Sequence, residues 1–160
     1  MDAVDFLVRQ HREMERAMKR VLEADDGKAK ALFADVADHL TTHIASEEEI
    51  FYPAVREKRT EDILLESLEE HLSLKRFLAD LLELEPGDKA FEAKFKVLKE
   101  QAEHHHEEEE ENLFPKVKKL LDERQRAALG EKMQALQSRM QKGGNPREDV
   151  ASQTDEAAPL

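Results

Sequence analysis

The sequence contains no cysteine and no tryptophan, and aromatic residues make up only 5% of its 160 residues. The absence of cysteine excludes disulfide bonds, thiolate nucleophiles and thiolate metal ligands. There is no uninterrupted run of the roughly 18 apolar residues that a membrane-spanning helix needs. The first residues also lack the basic start and apolar core of a signal peptide. These absences lead us to expect a soluble, cytoplasmic protein with no membrane partner.

Charge, by contrast, is abundant, because 39% of the residues are charged and the net charge is -12. This acidic balance argues against a nucleic-acid partner, which would require a basic face to displace counterions. Strong helix formers such as Ala, Leu, Glu and Lys dominate the composition. The chain is also long enough for one domain with a real core. We therefore expect one all-α domain.

Apolar residues recur at helical spacing in five segments, separated by short turns. The segments cover about 4–22, 28–53, 60–84, 88–117 and 123–141. Short turns make successive helices antiparallel, so we predict an up-down four-helix bundle over 1–121. An additional amphipathic C-terminal helix follows over 122–142. The polar, Pro- and Gly-containing segment 143–160 is predicted to be a disordered tail.

The additional helix needs a partner for its apolar stripe, which consists of Leu129, Met133, Leu136 and Met140. Packing on the same bundle and forming a homodimer both satisfy this need. The sequence leaves these two alternatives open.

The motif His-x-x-x-Glu occurs twice, as His43 with Glu47 and as His105 with Glu109. Residues four apart lie on the same face of a helix, one turn apart, so each pair can bind one object. A proline follows each glutamate by six residues. These prolines mark either a simple helix end, which we favour, or a kink that opens a path to the bundle interior.

Two further histidines, His11 and His71, lie on the apolar stripes of the first and third helices. The third helix superposes on the first and the fourth on the second, with Val8 over Leu68 and Phe33 over Phe95. The bundle is therefore predicted to be two related helical hairpins. Each hairpin contributes one His followed by one His-x-x-x-Glu, so four histidines and two glutamates face one core.

Burying two glutamates in an apolar core costs several kcal/mol unless a cation neutralises them. Imidazole and carboxylate groups without thiolates suit iron or manganese, and zinc less distinctively. Two irons bridged by both carboxylates and by an oxo or hydroxo group would use six symmetric ligands and leave open positions for small molecules. The alternative without redox chemistry is a structural or adaptor bundle that holds zinc or no metal, because any single histidine can be an ordinary core or surface residue.

Four stretches of the sequence resemble the hemerythrin-like proteins, specifically the bacterial HHE cation-binding group. They are QHREM, HIASEEEIFYP, EEHLSL and HHEEEEENLFP. The resemblance covers roughly residues 1–121 and implies a non-haem di-iron four-helix bundle. The metal ligands that it implies are His11, His43, Glu47, His71, His105 and Glu109.

The same resemblance implies that a small oxidant, namely dioxygen, hydrogen peroxide or nitric oxide, is the partner of the iron pair. If the protein is an enzyme, we expect an oxidoreductase acting on peroxide, in the manner of a catalase or peroxidase, or on nitric oxide. A non-catalytic module that senses iron or oxygen, or buffers iron, is the alternative. Oxygen-carrying hemerythrins have a second histidine where this chain has Lys75. This difference favours redox chemistry or sensing over reversible oxygen storage.

Tyr52 is the only tyrosine, and the duplicated position holds Phe114. It is the candidate catalytic residue: its phenol either packs in the core with its hydroxyl at the surface, or reaches an iron or hydrogen-bonds a bound peroxide. His39 lies one turn before the first motif, and we favour a polar position near the bundle end over an extra ligand. His104 and His106 point about 100° to either side of His105, which lies between them, so we expect both at the helix margin.

Overall fold

The computed structural model describes all 160 residues, and every regular element is helical. The elements in chain order are α1 (Ala3–Glu23), α2 (Asp26–Ser46), a first π turn (Glu47–Phe51), α3 (Tyr52–Val55), α4 (Glu61–Leu82), α5 (Lys89–Glu108), a second π turn (Glu109–Leu113), α6 (Phe114–Leu120), α7 (Glu123–Lys142) and a 3₁₀ helix (Pro146–Gln153). The predicted four-helix bundle with an additional helix is confirmed. None of these helices combines the length and the apolar character that crossing a membrane requires.

Aspartates begin three of the long helices. The side chain of Asp2 accepts a hydrogen bond from the backbone of Val4, and Asp25 caps α2 in the same way. Asp122 forms a capping box with Gln125 at the start of α7. These side chains satisfy backbone donors that have no partner within the helix, which fixes where each helix begins.

The apolar core consists of two separate clusters, one at each end of the bundle. One contains 17 buried residues, including Leu40, Leu74 and Leu98. The other contains 14 buried residues, including Leu7 and Leu113. Each of the four bundle helices passes from one cluster to the other, and a buried polar layer lies between them. The predicted ligands all belong to this layer.

Pro53 and Pro115 do not end their helices, which corrects the interpretation that we favoured from the sequence. Each helix continues through a π turn that starts at the motif glutamate. The Tyr52 amide donates to the carbonyl of Glu47, five residues back. This wider turn moves the preceding carbonyls away from the proline ring, which would clash in a regular α-helix. The chain therefore bends without stopping just after each candidate ligand.

Helix α7 packs on its own bundle, against α1 and α2. Leu129 and Met133 are buried there. Gly130 lets the N-terminus approach, since an added Cβ would lie only 2.0 Å from the Met1 carbonyl oxygen. A homodimer through α7 would have to use the half-buried Leu136 and residues beyond it.

The segment 143–160, which we expected from its composition to be a disordered tail, packs against the bundle in the structure. Its 3₁₀ helix packs across α2 and α4 and buries Val150. Arg147 forms an ion pair with Asp38 at 2.7 Å, and Arg76 donates to the carbonyl of Thr154. Polar composition does not indicate these contacts, because one buried valine, one ion pair and a few hydrogen bonds anchor a segment that has no helical periodicity.

Candidate metal centre

The structure brings all six predicted ligands together in the polar layer. Each of the six is at most 1% exposed; they are His11, His43, Glu47, His71, His105 and Glu109. The four histidines come from α1, α2, α4 and α5, and the two glutamates open the two π turns. The π turn therefore sets where each carboxylate enters the core, a feature that helical periodicity does not contain.

Each carboxylate lies between histidines of different helices. Glu47 Oε1 is 3.4 Å from His43 Nε2 and 3.1 Å from His71 Nε2. Glu109 Oε1 is 3.4 Å from His11 Nε2 and 3.5 Å from His105 Nε2. Each carboxylate thus contacts one histidine of each helical hairpin, as a bridging ligand does.

His106 is also buried in this layer, at 2% exposure, so its predicted place at the helix margin is wrong. Its ring stacks on that of His11, with centroids 3.9 Å apart. Nitrogens of His11, His43 and His106 lie close enough together to hold one metal ion. A signal existed in the sequence: Ala102 lies on the buried stripe, and positions three and four residues later both fit a stripe at least 100° wide.

The hydroxyl of Tyr52 also enters the polar layer, and the side chain is fully buried. It donates a hydrogen bond to Glu109 Oε2 at 2.7 Å. It lies 3.3 Å from His71 Nε2 and 3.5 Å from His105 Nε2. Of the two interpretations of Tyr52, the structure therefore excludes a hydroxyl at the surface. His39 and His104 are exposed and stay outside the site.

These separations match those expected around a metal ion. Ligand atoms about 2.1 Å from a metal lie about 3 Å apart when they are adjacent. The Nε2 atoms of His71 and His105 are 3.1 Å apart, and Glu47 Oε1 lies 3.1 Å from Nε2 of His71.

Several polar atoms in this layer have no partner within the protein. They are both ring nitrogens of His106, Nε2 of His11 and His43, Oε2 of Glu47 and Oε1 of Glu109. Buried polar atoms without partners are rare in folded proteins because each costs about 1–3 kcal/mol. A cation placed among them would satisfy their lone pairs at once.

The electrostatics of the layer also favour a cation. Burial and the nearby Glu109 raise the pKa of Glu47 well above its usual value. Burial raises the pKa of Glu109 as well, but His105 and His11 outweigh it, so that this pKa is well below normal. Burial and the neighbouring His11 lower the pKa of His43 and of His106 well below the ordinary histidine value. These two histidines therefore keep the neutral form that metals bind, and metal binding would release the Glu47 proton.

The outer ring nitrogens of the four predicted histidine ligands are all hydrogen-bonded. Nδ1 of His11, His71 and His105 each faces a carboxylate, at distances of 2.8 to 3.0 Å from Glu110, Glu48 and Glu70 respectively. Nδ1 of His43 faces an amide oxygen, that of Gln10, at 2.8 Å. Such bonds orient an imidazole and strengthen it as a donor.

Lys75 is 4% exposed. Its Nζ lies 2.8 Å from Glu48 Oε1. Lys75 therefore supports His71 indirectly, through Glu48.

A polar cleft of about 550 Å³ between α4 and the second π turn reaches this layer. Glu109 and Ser67 lie among its lining residues, together with Glu70, Glu108 and Asn112. The cleft therefore borders a candidate ligand, Glu109, which is itself only 1% exposed.

Comparison with known proteins agrees with this geometry. The family profile described as the hemerythrin HHE cation binding domain matches residues 2–117. No curated protein matches the sequence significantly. A crystal structure of a hemerythrin HHE cation binding domain-containing protein from Mycobacterium kansasii has a similar fold, with a TM-score of 0.79 and 22% sequence identity. The similarity covers 96% of this chain and 94% of the other. The chain therefore belongs to the hemerythrin HHE cation-binding family.

Proposed function

We propose that this protein holds two non-haem iron ions in the polar layer and binds or reacts with a small oxidant there. The oxidant is dioxygen, hydrogen peroxide or nitric oxide. The observation that carries this proposal is the position of Glu47 and Glu109, each of which reaches histidines in both halves of the site. Iron suits this donor set of imidazole and carboxylate better than zinc does, and manganese is the closer alternative.

The ligands divide into two unequal groups. One half of the site offers the three imidazoles of His11, His43 and His106. The other half offers His71 and His105, with the Tyr52 hydroxyl beside both. Glu47 and Glu109 are shared. Since the second half has one imidazole fewer, we assign the open position, and therefore the oxidant, to that half.

The residues of the chain perform three tasks in this proposal. The two apolar clusters lie at opposite ends of the bundle, one on each side of the polar layer, and exclude bulk water from it there. The acceptors at Nδ1 keep each imidazole turned with Nε2 towards the carboxylates. Tyr52 holds a proton within 3.5 Å of two ligand nitrogens, where it can hydrogen-bond a bound oxidant or lose the proton and coordinate as a phenolate. Iron, when bound, supplies the redox chemistry and the position at which the oxidant coordinates.

The first test is the metal content of untagged protein from iron-replete cells, measured by mass spectrometry. We expect about two irons per chain, and loss of metal in His43→Ala and in His105→Ala. His39→Ala is the matched control, because His39 is exposed on the same helix as His43. A lower melting temperature should accompany metal loss, since ligand binding stabilises the folded state.

Turnover assays then separate the two functional alternatives. Consumption of peroxide or nitric oxide by the iron-loaded protein supports the reactive function. Two bound irons without turnover would instead favour iron or oxygen sensing, or iron buffering. Zinc in the purified protein, or no metal after anaerobic iron loading, would overturn the di-iron proposal.

A further inference from the structure

The hydrogen bonds around the ligand histidines follow the internal duplication, with one exception. The residue before His71, which is Glu70, accepts from Nδ1 of His105. The duplicated residue before His11 is Gln10, and it faces Nδ1 of His43. The exception is therefore an amide where the other hairpin has a carboxylate.

This exchange changes what fixes the imidazole. A carboxylate only accepts hydrogen bonds, so it holds the proton on Nδ1 and leaves the lone pair on Nε2. An amide can present either its oxygen or its NH₂ group. A reversed Gln10 amide would place the His43 proton on Nε2, pointing it at Glu47 and blocking metal coordination. Something else must therefore orient Gln10.

The appended helix supplies that element. Gln137 of α7 is 6% exposed and forms a reciprocal amide pair with Gln10. Gln10 Nε2 donates to Gln137 Oε1 at 2.7 Å, and Gln137 Nε2 donates to Gln10 Oε1 at 3.0 Å. A reciprocal pair alone is indifferent to a reversal of both amides, so a third contact has to break the symmetry.

Ser46 provides the third contact. Its hydroxyl donates to the His43 carbonyl oxygen at 2.8 Å, which uses its only proton. Its oxygen can then only accept, and it does so from Gln137 Nε2 at 3.0 Å. Reversing the amides would bring two acceptors, the Ser46 and Gln137 oxygens, together in a buried position, which is unfavourable because neither would have a donor. The hydrogen bond from Ser46 to the His43 carbonyl therefore fixes which atom of the Gln137 amide faces Ser46. The Gln137 amide in turn fixes the orientation of the Gln10 amide.

We infer that Gln137 of α7 is a positioning residue, which orients Gln10 and thereby holds the neutral ring of His43 as the Nδ1–H tautomer, with Nε2 free for metal. The tautomer is a property of the metal-free protein. Its consequence for metal retention rests on the proposed function. Helix α7, outside the four-helix bundle, is on this view part of the metal site.

The test begins with histidine ¹⁵N spectra of metal-free protein, in which the two tautomers give different nitrogen shifts. We expect a single Nδ1–H tautomer for His43 in the unmodified protein and a mixture in Gln137→Leu. Gln141→Leu is the matched control, since Gln141 is exposed on the same helix. The variant Gln10→Glu/Gln137→Leu should return to one tautomer, because a carboxylate at position 10 needs no orienting partner. A purely structural role of Gln137 predicts no such rescue.

A second measurement follows zinc transfer from the loaded protein to a chelator, with zinc alone as the probe. Loss of an outer hydrogen bond typically weakens metal binding by about 10- to 100-fold, so Gln137→Leu should release metal correspondingly faster and the double variant should not. If Gln137→Leu does not fold, Ser46→Ala replaces it and is expected to give the same mixture of tautomers. A single Nδ1–H tautomer in the variant tested, or no rescue by Gln10→Glu, would overturn the inference. Failure of the protein to hold iron after anaerobic loading, with the tautomers as expected, would count against the proposed function and leave the inference standing.

Discussion

Replacing Glu47 with glutamine should change the stability of the metal-free and metal-bound proteins in opposite directions. The Glu47 carboxyl is fully buried, and burial together with Glu109 raises its pKa well above the usual value. The metal-free native protein therefore retains a proton that the unfolded chain loses above about pH 4.5. Because the unfolded state then binds fewer protons, stability falls as pH rises from that point up to the folded pKa.

The size of this effect follows from proton linkage. Within that window a single group changes the free energy of unfolding by about 1.4 kcal/mol per pH unit. For a domain of this size, 1 kcal/mol moves the melting temperature by about 2–4 °C. Glu47→Gln lacks the titrating group, so its advantage over the unmodified protein should grow by about 3–6 °C per pH unit above about pH 4.5. With metal present the unmodified protein should be the more stable of the two, because Glu47→Gln has lost a ligand shared by both metals in the proposed site.

The neighbouring residue is a control of opposite sign. Burial raises the pKa of Glu48, but His71 and Lys75 outweigh it, so its pKa is lowered. The stability that Glu48 contributes through these contacts is fully present above the usual carboxyl pKa and is lost as the pH falls through the lowered pKa. Glu48→Gln leaves the buried Lys75 ammonium without its countercharge and should destabilise the metal-free protein at neutral pH, by up to about 3–5 kcal/mol.

The assay is chemical denaturation of chelator-treated protein between about pH 5 and about pH 8, a range above the usual carboxyl pKa, in which the unfolded chain has lost the Glu47 proton. Parallel stability curves for Glu47→Gln and the unmodified protein would refute the reasoning, since they would mean that Glu47 titrates normally. A stabilising effect of Glu48→Gln would refute the assignment of the Lys75–Glu48 ion pair.

Two further predictions concern the unequal halves of the site. Tyr52→Phe is expected to keep both irons but to lose a visible ferric-phenolate absorption band, and an unchanged spectrum would show that the phenol does not coordinate. His106→Ala should lower the metal content or speed the release of one of the two metals, because three imidazoles become two. His104→Ala, at the exposed position two residues earlier, should leave metal content unchanged, and equal behaviour of both variants would contradict a ligand role for His106.

The sequence was sufficient to predict the bundle and the position of six side chains, because both depend on helical period. Residues four apart share a face, so His105 and Glu109 had to point into the core once Leu98 and Ala102 did. The same argument gave the wrong position for His106. A core-facing stripe is wide enough to hold two adjacent residues near its edges. Helical spacing alone therefore cannot decide whether such a residue lies in the core or at the margin.

Features that depend on contacts between distant segments could not be predicted in this way. The bond between Gln10 and Gln137 joins residues at opposite ends of the chain, and no local pattern pairs two glutamines. The π turns arise where a helix accommodates a proline six residues after a buried glutamate, and the prolines alone favoured a simple helix end. The order of segment 143–160 depends on Val150 and on the ion pair of Arg147 with Asp38, which polar composition does not indicate.

Two departures from the duplication explain why the two halves of the site differ. Tyr52 and Phe114 occupy equivalent positions, and each stacks near the histidine of a different hairpin, Tyr52 on His71 and Phe114 on His11. The residue after the motif histidine is His106 in one copy, and the apolar Ile44 stands at the equivalent position of the other. One half thus gains a third nitrogen donor and an inert ring, and the other gains an oxygen donor. The two related hairpins therefore present two groups of donors that differ, and under the di-iron proposal the group beside Tyr52 is the one with an open coordination position.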